Sequence, residues 1–235
     1  MTKKIFITGT DTDIGKTIVT AGTASLCTEL GLRTAVLKPV QTGTAEYNPD
    51  ICEIRRVAQD TLEIPDKLTT PYSFPYPASP HLAADMENTT ISLDLIAEKI
   101  KEVELTCTPD VILIEGAGGI LVPLNENETF LDLLDILGIP VIITSSVRLG
   151  TINHTLLTVQ TLQNNRIPLE GIIFNRVPEN PGPVEKDNIR IISKLSGLPV
   201  LASIPELEKN EFFTEKLRQE FLKPSPLTHL FSHTE

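Results

Sequence analysis

The sequence is poor in cysteine, in aromatic residues and in positive charge. Aromatic residues make up 5% of the 235 residues, there is no tryptophan, and the net charge is -11. The three cysteines, Cys27, Cys52 and Cys107, form no CxxC pair. We therefore expect reduced cysteines in a cytoplasmic protein rather than disulfides or a zinc site. The acidic balance argues against a nucleic-acid partner, which would require a basic surface.

Long hydrophobic runs are missing as well. The first apolar run, Ile5-Phe6-Ile7, is shorter than the core of a signal peptide, and no run has the length of a membrane helix. We therefore expect no leader and no membrane partner. Short apolar runs instead alternate with longer helical stretches. The apolar runs are Ile5–Thr8, Thr34–Leu37, Val111–Ile114, Val141–Thr144, Gly171–Phe174 and Val200–Ala202. The helical stretches are Lys16–Leu30, Asp50–Ala58, Leu93–Val103, Phe130–Leu137, Ile152–Gln163 and Glu185–Leu195.

This alternation predicts an α/β fold. Runs of Val, Ile and Leu without polar alternation are typical of parallel strands buried on both faces. The order predicts an open, doubly wound, mostly parallel sheet with helices on both faces, as in P-loop NTPases. We expect one domain over residues 1–222 and a loose tail over 223–235. The proline-rich segment 71–81 is expected to be an ordered loop.

A phosphate-binding loop follows the first strand. Residues 9–17 read GTDTDIGKT and lead into a helix. Backbone N–H groups at such a helix start bind phosphate, Lys16 would reach the β- and γ-oxygens, and Thr17 would contact Mg²⁺. Five residues separate Gly9 from the GKT, where the usual motif has four. Asp11 occupies the place where partitioning ATPases carry a signature lysine.

Three other strand ends carry polar residues. Glu115 precedes Gly116, Ala117, Gly118 and Gly119, and a carboxylate there suits a Mg²⁺ contact. Lys38 would point toward the phosphates, although a surface lysine fits the spacing equally well. Asn175 is either a reader of the adenine edge or a loop cap, and its spacing does not decide between them.

Together these motifs resemble the dethiobiotin synthetase family. The matching segments are GTDTDIGKT, KPVQTG, PYSFPYPASPH, EGAGG, VRLGTINH, FNRV and SIPEL, in family order from residue 4 to about residue 207. The resemblance implies catalytic roles for Lys38, Lys16 and Thr12, and Mg²⁺ ligands at Thr17, Asp50 and Glu115. It implies a nucleotide site formed by Asp13, Ile14, Gly15, Lys16, Thr17, Ile18, Asp50, Glu115, Gly116, Ala117, Gly118, Asn175, Arg176, Pro205, Glu206 and Leu207.

The resemblance also implies a reaction and a partner. ATP and CO₂ would convert 7,8-diaminononanoate into dethiobiotin, ADP and phosphate, through a carbamate and a carbamic–phosphoric anhydride. Thr42 would contact the diamine. Gly150, Thr151, Ile152 and Asn153 would hold its carboxylate across a homodimer with a shared active site, although a simple helix cap also fits their pattern. The alternatives are another amide-forming ATPase and a nucleotide switch of the same superfamily.

Overall fold

The architecture is described from a computed structural model that covers residues 2–44 and 48–232. In chain order the strands are β1 (Lys3–Gly9), β2 (Thr34–Leu37), β3 (Val40–Thr42), β4 (Tyr72–Phe74), β5 (Val111–Gly119), β6 (Val141–Ser145), β7 (Leu169–Val177) and β8 (Val200–Pro205). The helices are α1 (Lys16–Glu29), α2 (Pro49–Val57), α3 (Asp66–Thr69), α4 (Pro80–Met86), α5 (Leu93–Cys107), α6 (Phe130–Leu137), α7 (Thr151–Asn164), α8 (Pro183–Ser196), α9 (Phe213–Leu222) and α10 (Pro226–Ser232).

The central sheet has six strands in the order β2-β5-β1-β6-β7-β8, and every neighbouring pair is parallel. The chain starts at β1 and adds strands on both sides of it. The predicted α/β, doubly wound fold is therefore confirmed. In such sheets ligands bind at the carboxyl ends of the strands, where the winding direction changes. Here that point is the end of β1, where the phosphate-binding loop begins.

Each face of the sheet is covered by its own apolar core. In β1, Ile5 and Ile7 belong to one cluster, and Phe6 between them belongs to the other. The first cluster contains residues of α1, α2, α9 and α10, and the second contains residues of α5 and α6. Because both faces are covered, the central strands consist almost entirely of buried apolar residues. Among the described helices, none combines the length and the hydropathy needed to cross a membrane.

Residues 223–235 were predicted to be a loose tail, and this prediction is wrong for Pro226–Ser232. These residues form α10, and Leu227 and Phe231 are buried in the same core as α1. Lys3 of β1 donates a hydrogen bond to the carbonyl of Leu230 and lies over the ring of Phe231. The last part of the predicted tail, residues 233–235, lies outside the described residues.

The proline-rich segment 71–81 was predicted to be a loop, and this prediction is wrong at both of its ends. Tyr72–Phe74 is β4, which pairs with β3 in a separate two-stranded parallel sheet. Pro80 begins α4, since a proline at the first helical position has no N–H to leave unpaired. The prolines at 71, 75 and 77 flank β4 rather than interrupt it.

Candidate active site

The phosphate-binding loop is held in shape by a tightly packed glycine. Gly15 is the N-cap of α1 and has a left-handed conformation with φ 96°. A Cβ at this position would lie 1.9 Å from Nδ2 of Asn175. The same Nδ2 donates a hydrogen bond of 3.0 Å to the carbonyl of Ile14. A side chain at residue 15 would therefore displace both the loop and Asn175.

Two basic side chains contact Asp11 in this loop. The Lys16 ammonium donates to the Asp11 carbonyl oxygen at 3.1 Å, and the Arg148 guanidinium lies 3.3 Å from the Asp11 carboxylate. Burial lowers the pKa of Lys16, attraction to Glu115 opposes this effect, and repulsion from Lys38 adds to it. The lysine side chain is thus held inside the loop whose N–H groups would surround a phosphate.

Lys38, Asp50 and Glu115 form a charged cluster beside Thr17. The Lys38 ammonium donates to Glu115 Oε1 at 2.9 Å and also to the Asp50 carboxylate. The Thr17 hydroxyl donates to the same Glu115 oxygen at 3.0 Å. Burial alone would lower the pKa of Lys38, but Glu115 and Asp50 outweigh that effect and raise the pKa. The predicted Mg²⁺ ligands Thr17, Asp50 and Glu115 therefore do come together, around a lysine.

These side chains fit a Mg²⁺ site completed by a nucleotide. The Glu115 side chain is 0% exposed, and its Oε2 atom has no hydrogen-bond partner among the described residues. Within residues 2–44 and 48–232, no group of three or more His, Cys, Asp or Glu side chains is arranged to hold a metal by itself. Mg²⁺ in nucleotide sites usually takes one or two carboxylates and fills its remaining positions with phosphate oxygens and water. Asp50, Glu115 and the Thr17 hydroxyl match that pattern.

A cavity of about 940 Å³ joins the loop to the charged cluster. Of the residues predicted for the site, those that line the cavity are Thr12, Asp13, Gly15, Lys16, Thr17, Ile18, Lys38, Thr42, Asp50, Glu115, Ala117, Gly118 and Arg176. Ile14 belongs to the loop but its side chain is buried, and Gly116 packs on the Phe6 ring. The cavity thus brings together groups from the ends of β1, β2, β3, β5 and β7.

Three of the residues predicted to contact adenine lie at the end of β8 and directly after it. Pro205, Glu206 and Leu207 line a second cavity of about 640 Å³, together with Val177. Arg176, which lines the first cavity, directly precedes Val177 in the chain and has a positive φ of 54°. Asn175 is 3% exposed and anchors the phosphate-binding loop. Its predicted contact with adenine stays a prediction.

Residues 150–153 are not among those that line either described cavity. Gly150 is the N-cap of α7, with no side-chain cap, and the Thr151 hydroxyl donates to the Ser146 carbonyl at 2.7 Å. Thr151 is therefore engaged inside its own subunit, whereas Asn153 is exposed. Their predicted contact with the substrate carboxylate stays a prediction.

Several cavity residues escaped the sequence analysis. Pro77, Ala78, Ser79 and Pro80 form one wall, and Gln41 and Lys209 also line the cavity. The wall falls in the proline-rich segment 71–81, which the sequence already suggests as a wall that keeps water from the anhydride, so that only its individual residues were not named. Gln41 stands within the quoted KPVQTG motif, so its position between Lys38 and Thr42 was the available signal.

The fold and the site define a P-loop nucleotide-binding protein. A family model described as an AAA domain matches residues 3–212. Among solved structures, the MinD cell division protein of Aquifex aeolicus is similar with a TM-score of 0.58 at 15% identity, covering 97% of this chain and 96% of that one. A ParA family ATPase from Chlorobium tepidum is similar with a TM-score of 0.55 at 15% identity, covering 99% and 96%. At this identity the likeness concerns the fold alone.

Curated relatives identify the family more closely. The ATP-dependent dethiobiotin synthetase BioD of Clostridium kluyveri is 37% identical, with 100% of this chain and 99% of that protein covered. BioD 2 of Pasteurella multocida is 42% identical over 80% of this chain and 88% of that protein. The enzyme of Halalkalibacterium halodurans is 36% identical over 86% and 84%. The chain belongs to the ATP-dependent dethiobiotin synthetase family.

Proposed function

We propose that the protein uses ATP to carboxylate 7,8-diaminononanoate and close the ureido ring of dethiobiotin. The observation that carries this proposal is the convergence of Lys16, Thr17, Lys38, Asp50 and Glu115 on one cavity at the carboxyl edge of the sheet. Family membership supports the substrate, since the relatives are named for this reaction. A phosphate-binding loop with a second buried lysine suits a phosphoryl transfer to an anionic acceptor.

The chemistry has three steps that balance. One neutral amine of the substrate adds to CO₂, releases a proton to solvent and becomes a carbamate. A carbamate oxygen then attacks the γ-phosphorus of ATP, which gives ADP and a carbamic–phosphoric anhydride. The neighbouring amine forms a C–N bond to the carbonyl carbon, phosphate leaves with the C–O bonding electrons, and one proton of the amine goes to the departing phosphate.

The residues of this chain act mainly by position and charge. Lys16 binds the phosphate oxygens, and Lys38 neutralises the carbamate as it approaches the γ-phosphate. Thr12 belongs to the loop and lines the cavity, and it would contact the same phosphate group. Thr17, Asp50 and Glu115 would hold Mg²⁺, which when bound supplies further positive charge to the phosphate oxygens. Both reactants are anions, so this charge makes their encounter possible.

Water must be kept from the anhydride, because hydrolysis would waste the ATP. The wall formed by Pro77–Pro80 supports such a role, since it closes one side of the cavity with side chains that carry little polar surface. Thr42 lines the cavity next to this wall and is positioned to contact the diamine.

The proposal includes three further assignments. Adenine would lie against Asn175 and the backbone of residues 205–207. The exposed Asn153 and its neighbours at the start of α7 would hold the substrate carboxylate in the partner subunit's cavity, across a homodimer with shared sites. A cytoplasmic location is supported by the free thiols of Cys27, Cys52 and Cys107.

One assay tests the activity directly. The purified protein is incubated with ATP, Mg²⁺, bicarbonate and 7,8-diaminononanoate, and dethiobiotin is measured by mass spectrometry. We expect one ADP per dethiobiotin, and a loss of about 100-fold or more in turnover for Lys16→Ala. ADP release that is independent of the diamine would instead favour a nucleotide switch. Product formation without ATP would refute the proposal.

A further inference from the structure

Gln41 lines the active-site cavity and carries a buried acceptor without a donor among the described residues. It is the central residue of β3, is 8% exposed and lines the cavity between Val40 and Thr42. Its Nε2 donates to the Thr42 carbonyl oxygen at 2.9 Å. Its Oε1 is buried and has no hydrogen-bond partner among the described residues. Buried acceptors of this kind are uncommon in folded proteins, and a ligand often completes them.

The orientation of this amide follows from its surroundings. The Thr42 carbonyl is an acceptor, so it requires the NH₂ group of Gln41. Exchanging the amide oxygen and nitrogen would bring two acceptors together and would leave the NH₂ group without its partner. Oε1 therefore stays directed away from the Thr42 carbonyl. A matching ligand must supply an N–H or O–H donor at this place.

The functional groups of the reactants indicate which reactant supplies the hydrogen-bond donor to Gln41. The phosphates of ATP, the substrate carboxylate and CO₂ offer no hydrogen-bond donor, and the proposed function puts the adenosine of ATP against Asn175 and residues 205–207. The diamine offers two amines. We propose that Gln41 Oε1 accepts a hydrogen bond from the amine that closes the ring, an inference that rests on the proposed function. Gln41 is thus a substrate-binding residue that selects for the second amine.

An amide suits this position better than a carboxylate. The ring-closing nitrogen must be neutral, because an ammonium has no lone pair with which to form the C–N bond. A carboxylate next to the amine would favour the ammonium, whereas a neutral amide oxygen binds the N–H without adding a charge. One N–H stays on the nitrogen after ring closure. The hydrogen bond to Oε1 can therefore persist while the other proton leaves.

The test compares binding of three ligands to wild type and Gln41→Met by calorimetry. The ligands are the diamine and the two monoamines, 7-aminononanoate and 8-aminononanoate. We expect Gln41→Met to weaken binding of the diamine and of only one monoamine by about 3- to 10-fold. Unchanged ATP affinity would show that the variant is folded. Equal weakening of both monoamines, or no weakening of the diamine, would overturn the inference.

A second variant and a matched control sharpen the result. Gln41→Glu should lower turnover by about tenfold or more while the diamine affinity stays within a few-fold of wild type, because the new carboxylate binds the ammonium. Normal turnover in this variant would overturn the assignment to the ring-closing amine. Gln163→Met is the control, since Gln163 also donates to a backbone carbonyl, that of Ser196, but lies outside the cavity. If the wild-type protein forms no dethiobiotin, the proposed function itself is refuted.

Discussion

Replacing Lys38 by methionine tests whether the charged cluster also determines the stability of the free protein. The side chains of Lys38 and Glu115 are 7% and 0% exposed, and their charged atoms are 2.9 Å apart. Without the ammonium, Glu115 would remain buried with the Thr17 hydroxyl as its donor. Removing one partner of a buried ion pair costs about 3–5 kcal/mol, since the remaining charge is left uncompensated. For a chain of this size that corresponds to a loss of about 6–20 °C in Tm.

The assay is urea unfolding followed by circular dichroism, without nucleotide or metal. Lys4→Met is the matched control, because Lys4 pairs with Glu104 and both side chains are about a quarter exposed, at 27% and 26%. Loss of that pair should cost under about 1 kcal/mol. The double variant Lys38→Met/Glu115→Gln should recover part of the loss, since it removes the unpaired charge. If Lys38→Met costs no more than Lys4→Met, the reasoning is refuted.

The difference in stability between wild type and Lys38→Met should depend on pH in a direction that follows from the pKa of Lys38. The pKa of Lys38 is raised above its usual 10.5 in the folded state. A raised pKa of a basic group contributes stability that is fully present below the unfolded value and is lost only as the pH rises through the folded value. The stability gap between wild type and Lys38→Met should therefore stay constant from about pH 7 to about pH 9. A gap that closes within this range would contradict the assignment of the charge to Lys38.

Three other outcomes are expected. Glu115→Gln should shift the Mg²⁺ dependence of turnover to higher concentration, because the amide lacks the charge that a hard cation prefers; a superimposable titration would make Glu115 structural. Asn153→Ala should raise the KM for the diamine and leave that for ATP unchanged, and mixing it with Lys16→Ala should restore some activity. No recovery in dimers that have exchanged subunits would exclude a shared site. Phe221→Ala should cost about 3–5 kcal/mol in urea unfolding, and a loss below about 1 kcal/mol would mean that the C-terminal helices do not stabilise the fold.

The central sheet was predictable because its signal is strong and local. Buried parallel strands must be apolar on both faces, so their runs stand out against the amphipathic helices. The predicted site residues lie along the same edge of the sheet, because Lys38 directly follows β2, Lys16 begins the helix after β1, and Glu115 lies in the carboxyl half of β5. The bond between Asn175 and the Ile14 carbonyl joins residues that are far apart in the chain, and no local pattern encodes it.

The two-stranded sheet and the C-terminal helices escaped prediction for different reasons. Strands of three residues, such as β3 and β4, are too short to show a period. The C-terminal segment contains prolines and serines that resemble those of a loop. Its apolar spacing nevertheless carried the signal, since Leu217 and Phe221, and again Leu227 and Phe231, are four residues apart and form one face of a helix.

The C-terminal helix α9 packs against the two helices that begin at the candidate active site. The matched family region ends at residue 212, and α9 begins directly after it. Phe221 of α9 lies over Gly22 of α1, where a Cβ would come within 2.2 Å of the ring. Arg56 of α2 lies over the ring of Phe213 at the other end of α9. The helix α9 therefore packs against both α1, which begins with Lys16 and Thr17, and α2, which carries Asp50 in its first turn, and these residues are the proposed phosphate and Mg²⁺ ligands. A segment outside the matched family region thus packs against both helices that carry the proposed lysine and carboxylate.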